Sequence, residues 1–285
     1  MSDSDDPQSS APRRLSNLQV RTVSSVVLIV AVLGVTWLGG TPFAILAAAI
    51  SGAIFYEWTG MSRGESSTRH HTVAAVLLGA VLILLVLGVE EKLVVAATAV
   101  AILLSALDGR VRGQGLGTTV GLSYAALSGV SLALLRDGDS NGLAAILFLF
   151  ATVWATDIMA YFVGRSLGGP KLAPAISPGK TWSGAIGGAL GGVLAGTAAA
   201  AATGHSDLIP GAAVALVLSV VSQVGDLFES WIKRRRGVKD SSQLIPGHGG
   251  VMDRVDGLVA AAFALYVIGA LLGGAGRPGH GLFPL

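Results

Sequence analysis

The sequence contains no cysteine, which removes disulfides, thiolate nucleophiles and zinc–thiolate centres from consideration. Charge is also scarce. Asp, Glu, Lys and Arg together make up 13% of the chain, against roughly 25% in an ordinary soluble domain. Of the five histidines, His70, His71, His205 and His280 read as isolated loop residues, none at metal-ligand spacing from a partner. The net charge of +2 is too small to direct the chain to a partner by itself, and no nucleic acid is expected among its partners. What remains is apolar: 52% of the residues are hydrophobic and the mean hydropathy is +0.69. Such a chain reads as an all-α polytopic integral membrane protein, its helices associating through packing and polar contacts.

Apolar stretches recur at about 23–39, 42–61, 72–89, 91–107, 118–136, 142–164, 182–203, 208–232 and 254–274, which predicts nine spans. Residues 1–20 ahead of them are rich in Ser, Asp and Pro and read as a disordered cytoplasmic tail. Arg13 and Arg14 precede the first apolar run as they would in a secretory signal, but its spanning length and direct continuation into a second span favour a retained helix. With the N-terminus in the cytoplasm, only Lys92, Arg136 and Arg277 of the 19 Lys and Arg fall outside. That asymmetry predicts an N-in, C-out topology. The expected organisation is N-terminal membrane helices over 21–150, a catalytic membrane region with cytoplasmic loops over 151–275, and a tail over 276–285. The seventh span carries Gly184, Gly188, Gly192 and Gly196 at i+4 spacing, a surface for close helix approach inside the bundle. A homodimer interface is the alternative use of that ladder.

Charge and glycine concentrate in one stretch, Ser230 to Asp256. Lys233, Arg234, Arg235, Arg236 and Lys239 lead in, His248 sits among glycines, and Asp253 and Asp256 close it. Cations bind phosphate oxygens, glycines let backbone N–H groups approach them, and carboxylates hold a hard metal such as Mg²⁺. The preceding apolar stretch ends with Ser222, Asp226, Glu229, Ser230 and Lys233 on one helical face. A polar stripe on a membrane helix must face protein or a water-filled cavity. Asp226 and Asp253 come from the same side of the membrane and are expected to converge on Mg²⁺, a second cation being left open. Asp253 and Asp256 share a face at i, i+3. Glu57 in the second span reads as paired or near the interface.

A second constellation joins Asp157, Tyr161, Gly164 and Arg165 to Gly168-Gly169-Pro170-Lys171 and Ser177-Pro178-Gly179-Lys180-Thr181-Trp182. The last run is expected to open a helix, with Lys180 and unpaired backbone N–H groups forming an anion site. Its upstream glycine spacing is not that of a Walker A loop.

The pattern Ser-x-Ile-Lys-Arg-x4-Lys-Asp-x-Ser-x2-Ile-Pro-x-His-Gly-Gly-Val-x-Asp-Arg-Val-Asp over residues 230–256 resembles the signature of the phosphatidate cytidylyltransferases, or CDP-diacylglycerol synthases. The Asp157-x-x-Ala-Tyr161 run and Ser177-Pro-x-Lys-Thr-Trp182 resemble that family's other recognisable block. Three positions depart from it: Ser183 stands where relatives tend to carry Glu or Gln, Arg235 where they often carry an acid, and Ile158-Met159 is bulkier than usual. The resemblance covers about 152–257. It implies a multi-span enzyme that joins CTP and phosphatidate into CDP-diacylglycerol, releasing diphosphate at the cytoplasmic face of the cell membrane. It places Asp226 and Asp253, and less directly Asp256, at the metal. Lys233, Arg234, Lys239 and His248 join the catalytic group, and Lys180, Ser177, Gly249, Gly250, Arg254 and Asp240 the substrate-binding group. A phosphate monoester is already largely dianionic at neutral pH, so His248 is assigned to phosphate contact or loop structure and not to general-base catalysis. An ether-lipid phosphate as acceptor, a CTP-dependent lipid kinase and a transporter are the competing readings. A transporter would show repeated halves with broken helices, and the sequence has no internal repeat.

Overall fold

The computed structural model describes residues 17–62, 67–203, 208–245, 249–274 and 276–283, with helix side chains from Val26 onward. The chain runs through α1 (Asn17–Leu38), α2 (Gly40–Met61), α3 (Thr68–Val86), α4 (Glu91–Val111), α5 (Gly117–Arg136) and α6 (Ser140–Leu167). A two-stranded hairpin follows, β1 (Lys171–Ala173) and β2 (Ser177–Thr181). Then come α7 (Trp182–Ala202), α8 (Leu208–Arg235), α9 (Met252–Gly273) and the short α10 (Pro278–Leu282). Among the described residues, α2 to α9 are eight helices long and apolar enough to cross a membrane; the apolar part of α1 there is the shorter Val26–Leu38. The nine expected stretches each carry a helix, and α3 and α4 are separate helices joined at 87–90.

Side chains sort by solvent, here lipid. Val76, Ile83, Leu93, Val100 and Leu103 on α3 and α4 lie outward and exposed, while α5 in the middle of the bundle buries most of its length. With backbone groups paired inside each helix, an apolar exterior is what hydrocarbon requires. Two clusters fill the interior. One packs Phe43, Leu135, Phe148 and Leu265. The other, directly under the polar loops, packs Ile54, Trp58, Leu78, Leu122 and Met252, and the Trp58 indole N–H donates to the Gly117 carbonyl at 2.9 Å.

The glycine ladder of α7 is used inside the chain. A Cβ on Gly184 would meet the Ala160 carbonyl at 2.7 Å, and one on Gly188 the Thr156 carbonyl at 2.8 Å, both on α6. Their absence lets the two backbones touch, which supplies the packing that replaces the hydrophobic effect in lipid.

At the end of the bundle opposite the polar loops, the buried Arg136 donates to the Thr36 carbonyl at 2.6 Å and the Trp37 carbonyl at 3.1 Å, satisfying the last turn of α1. Asp139 caps α6 by accepting from the Gly142 N–H at 2.8 Å and lies 2.6 Å from His280. The stretch 276–285, expected as a tail, folds back in its described part: Phe283 packs edge-on against Phe148 at 5.2 Å, and Gly279 sits against Asn141.

Three of the loop histidines are helical or docked. His70 and His71 belong to α3; His70 is fully buried, its Nδ1 2.8 Å from Asp108, which also accepts from Arg112 at 2.7 Å. His280 lies on α10. His205 is outside the described residues, as is His248.

Candidate active site

The polar end of α8 builds the site. Its stripe holds as the sequence predicts: Asp226, Ser230 and Lys233 share a face, and Ser230 donates to Asp226 at 3.4 Å. Two carboxylates of this region have opposite situations. Asp253, on the first turn of α9, accepts from Lys233 at 2.6 Å, from the Ser241 N–H and hydroxyl at 2.9 Å each, and from the Gly250 N–H at 2.8 Å. Lys233 also lies 2.9 Å from Glu229, a charge contact without hydrogen-bond alignment. Asp226 instead pairs across the chain with Lys180 and opens onto a cavity.

That cavity measures about 550 Å³ and lies between α6, the hairpin, α7 and α8. Asp157, Arg165, Lys171, Lys180, Gln223 and Asp226 supply its polar groups. The expected helix opening at Ser177 is a strand. Pro178 cannot donate in a ladder or a helix interior, Ser177 pairs opposite Ala173, and α7 begins only at Trp182. Thr181 is the cap, accepting from the Gly184 N–H at 3.1 Å. Lys180 therefore reaches the cavity from a hairpin edge beside the helix start, and Ser177, at the hairpin's turn end, does not line it. Gly168, with φ +61°, ends α6 in the left-handed region and lets the chain turn into the hairpin. Ser183 bonds the Gly168 carbonyl, so the position that departs from the family pattern braces this turn.

The loop from Arg236 to Val251 is held from the N-terminal half, which sequence reasoning missed. Glu57 of α2 is 1% exposed. It accepts from the Ser241 hydroxyl at 3.0 Å, the Ser242 hydroxyl at 2.7 Å, and the Val251 and Met252 N–H groups at 2.8 Å each. Those last two are unsatisfied donors of the α9 N-terminus, where a carboxylate also meets the positive end of the helix dipole. Gly250 has no room for a side chain: a Cβ there would overlap the Ser241 hydroxyl and lie 2.6 Å from the Glu57 carboxylate. The intramembrane position of Glu57 was the available signal, since an acid at that depth must have a partner. Arg236 completes the tie, donating to the Trp58 carbonyl at 3.1 Å with its guanidinium 5.2 Å from the Trp58 ring.

The remaining expected residues spread around this core. Arg234 donates to the Val238 carbonyl at 3.0 Å, and Arg235 stacks over Trp231 at 4.9 Å. Lys239 and Asp240 are exposed on the loop. Gly249 pairs with Ile245 across the residues that include His248. Arg254 lines a different, apolar cavity farther along α6.

Asp226 and Asp253 hold different protein partners, the first Lys180 and Ser230, the second Lys233, Ser241 and Gly250. Asp256 on α9 lies within electrostatic range of Asp226, and Asp157 lies within range of both. Among the described residues no three His or acidic side chains form a metal-binding group. Mg²⁺ commonly takes one or two carboxylates and completes its shell with phosphate oxygens and water, so the carboxylates at the α8 and α9 ends fit it.

A bundle of membrane-length helices with a cavity of mixed basic and acidic lining at one end suits a membrane protein that handles phosphorylated ligands. A model of the cytidylyltransferase family matches residues 19–272. A phosphatidate cytidylyltransferase of Brucella abortus is 48% identical over 259 residues, covering 90% of this chain and 95% of its own. One of Pseudomonas aeruginosa is 38% identical over 277 residues, covering 91% and 98%, and one of Haemophilus influenzae is 46% identical over 126 residues, covering 42% and 44%. The chain belongs to the cytidylyltransferase family and is a nucleotidyltransferase.

Proposed function

We propose that the protein joins CTP to phosphatidate, giving CDP-diacylglycerol and diphosphate for phospholipid synthesis. The observation that carries this reading is the cavity in which Lys180, Arg165 and Lys171 stand beside Asp226, in a chain akin over its length to phosphatidate cytidylyltransferases. A triphosphate needs several cations at fixed positions, and the hairpin and the end of α6 supply them. An unesterified phosphate oxygen of the lipid attacks the α-phosphorus in line, the bond to the β-phosphate oxygen breaks, and diphosphate leaves. The lipid phosphate is already dianionic in large part, so no side chain has to remove a proton. Lys180, Arg165 and Lys171 hold charge on the departing group.

Asp226 and Asp253, and less directly Asp256, would hold Mg²⁺, Asp253 also tying down the loop through Lys233, Ser241 and Gly250. When bound, the ion neutralises charge on the phosphate oxygens. His248 is assigned to phosphate contact or loop structure. The topology is N-in, C-out with α1 as a ninth span, which puts the cavity at the cytoplasmic face of the bacterial inner membrane. The α7 ladder is occupied by α6, so a homodimer would use another surface.

The test is purified protein with CTP, phosphatidate and Mg²⁺, measuring both products. One diphosphate per CDP-diacylglycerol, lost in Lys180→Ala and Asp226→Asn, is expected. Orthophosphate or CDP as the released product would overturn the reading.

A further inference from the structure

The apolar cavity beside α6 measures about 590 Å³ and opens between α1, α2, α6 and α9. We propose that it is the seat of one acyl chain of the lipid phosphate, with the phosphate end at Arg254. The proposal rests on the cytidylyl-transfer reading and adds where the lipid docks.

Four observations carry it. First, the lining is hydrocarbon except at one end, where Arg254 on the first turn of α9 is its charged member. An anionic headgroup on an apolar tail has the matching polarity, and a guanidinium suits phosphate by its paired donors. Second, the depth is that of a leaflet. Along α2 the groove runs from Ala53 to Phe43, about 15 Å of helix rise, or half of a hydrocarbon core about 30 Å thick. Third, one of its walls is α1, through Leu28, Ile29 and Val32, a helix that packs on α2 and α6. Stacked Phe150 and Trp154, 5.0 Å apart, form the facing wall. A tail can thus reach the groove from the bilayer beside α1. Fourth, the polar end adjoins the site: Arg254 follows Asp253, and Trp154 lies one turn before Asp157, which lines the nucleotide cavity. Phe150 and Trp154 of the groove and Asp157 and Tyr161 of the charged cavity follow one another along one stripe of α6, so the apolar and charged cavities succeed each other along one face.

Ala49 and Ala53 line the groove with small side chains, so Ala49→Trp and Ala53→Trp fill it without touching a charged group. The full-length protein is assayed with dioleoyl- and dihexanoyl-phosphatidate. KM for the long-chain lipid should rise at least about tenfold, the equivalent of roughly two displaced methylenes, while KM for the short-chain lipid and for CTP stays put. Leu103→Trp on lipid-facing α4 should change neither. As a second readout, wild-type protein is photolabelled with phosphatidate carrying a diazirine in its tail. Label on α1 and α2, competed by phosphatidate but not by phosphatidylcholine, is expected. An unchanged long-chain KM in both variants, an equal loss for both chain lengths, or label competed equally by phosphatidylcholine would each overturn the proposal. Wild-type turnover of the short-chain lipid keeps such a failure separate from failure of the transfer reaction itself.

Discussion

Helices α3 and α4 turn Val76, Ile83, Leu93, Val100 and Leu103 to lipid and keep their ionisable residues at their ends, whereas α8 buries Glu229 and Lys233 and, with α6 and α9, sets Asp226, Asp157 and Asp256 around the polar end of the bundle. Both regions obey the same rule: in hydrocarbon a charge must have a partner or a cavity. The difference lies in what the partners leave over. In α4, Asp108 pairs with His70 and Arg112 and the group closes on itself. Around α8, Asp226 has Lys180 on one side and a cavity on the other, so its charge remains available to a ligand. Glu57 links the two regions, since it belongs to the N-terminal half and organises the C-terminal loop. A catalytic half and a merely structural half is therefore too simple a division.

The comparison can be broken most severely at Asp253. Asp253→Asn removes the charge opposite Lys233 and part of the capacity to accept from Ser241 and Gly250. Activity should fall by about two orders of magnitude or more, while size-exclusion chromatography in detergent still shows folded protein. Near wild-type turnover would remove Asp253 from the site.

Glu57→Ala tests whether the N-terminal half only supports. It leaves the Val251 and Met252 N–H groups without their acceptor, at about 1–3 kcal/mol for each buried donor. Thermal stability should drop and turnover should fall at least about tenfold, with Glu57→Gln intermediate because its amide oxygen still accepts. A Glu57→Ala protein as active as wild type would show that the loop holds itself.

Glycine gives a smaller contrast. Gly188→Ala pushes a methyl toward the Thr156 carbonyl, whereas Gly79→Ala on α3 meets nothing within 4 Å. The first should lower the melting temperature; the second should leave it or raise stability by up to about 1 kcal/mol. Equal effects would mean that α7 does not depend on close backbone contact.

The smallest effect is expected at the far end of the bundle. Burial opposes ionisation of Asp139, but the Gly142 N–H and His280 outweigh it and hold its carboxyl below the usual carboxylate value. A depressed folded value means that the stabilisation is present above the unfolded value and fades as pH falls through the folded one. Melting curves of wild type and Asp139→Asn should differ slightly at neutral pH and converge in acid. Curves that diverge further in acid would contradict this.

The apolar stretches, the α8 stripe and the signature were legible because each is a local pattern of period or spacing. The hairpin was not: three- and five-residue strands carry no alternation to read, and Ser-Pro-Gly-Lys-Thr-Trp has the composition of a helix start. Glu57 was visible as an acid in a span, but its partners lie 184 to 195 residues away, a distance that no local pattern bridges. Helical phase puts Asp253 and Asp256 on one face, but that Lys233 of α8 and the loop groups of Ser241 and Gly250 engage Asp253 is a tertiary contact that no local pattern shows. The role of Gly250 also changed. Its missing side chain makes room for Glu57, and its N–H serves Asp253.

The most direct measurement uses purified protein, phosphatidate and Mg²⁺ with CTP labelled at either the α- or the γ-phosphorus. Cytidylyl transfer predicts that label reaches the lipid phase from the α position and never from the γ position. Label arriving only from the γ position would make the protein a lipid kinase and contradict the account.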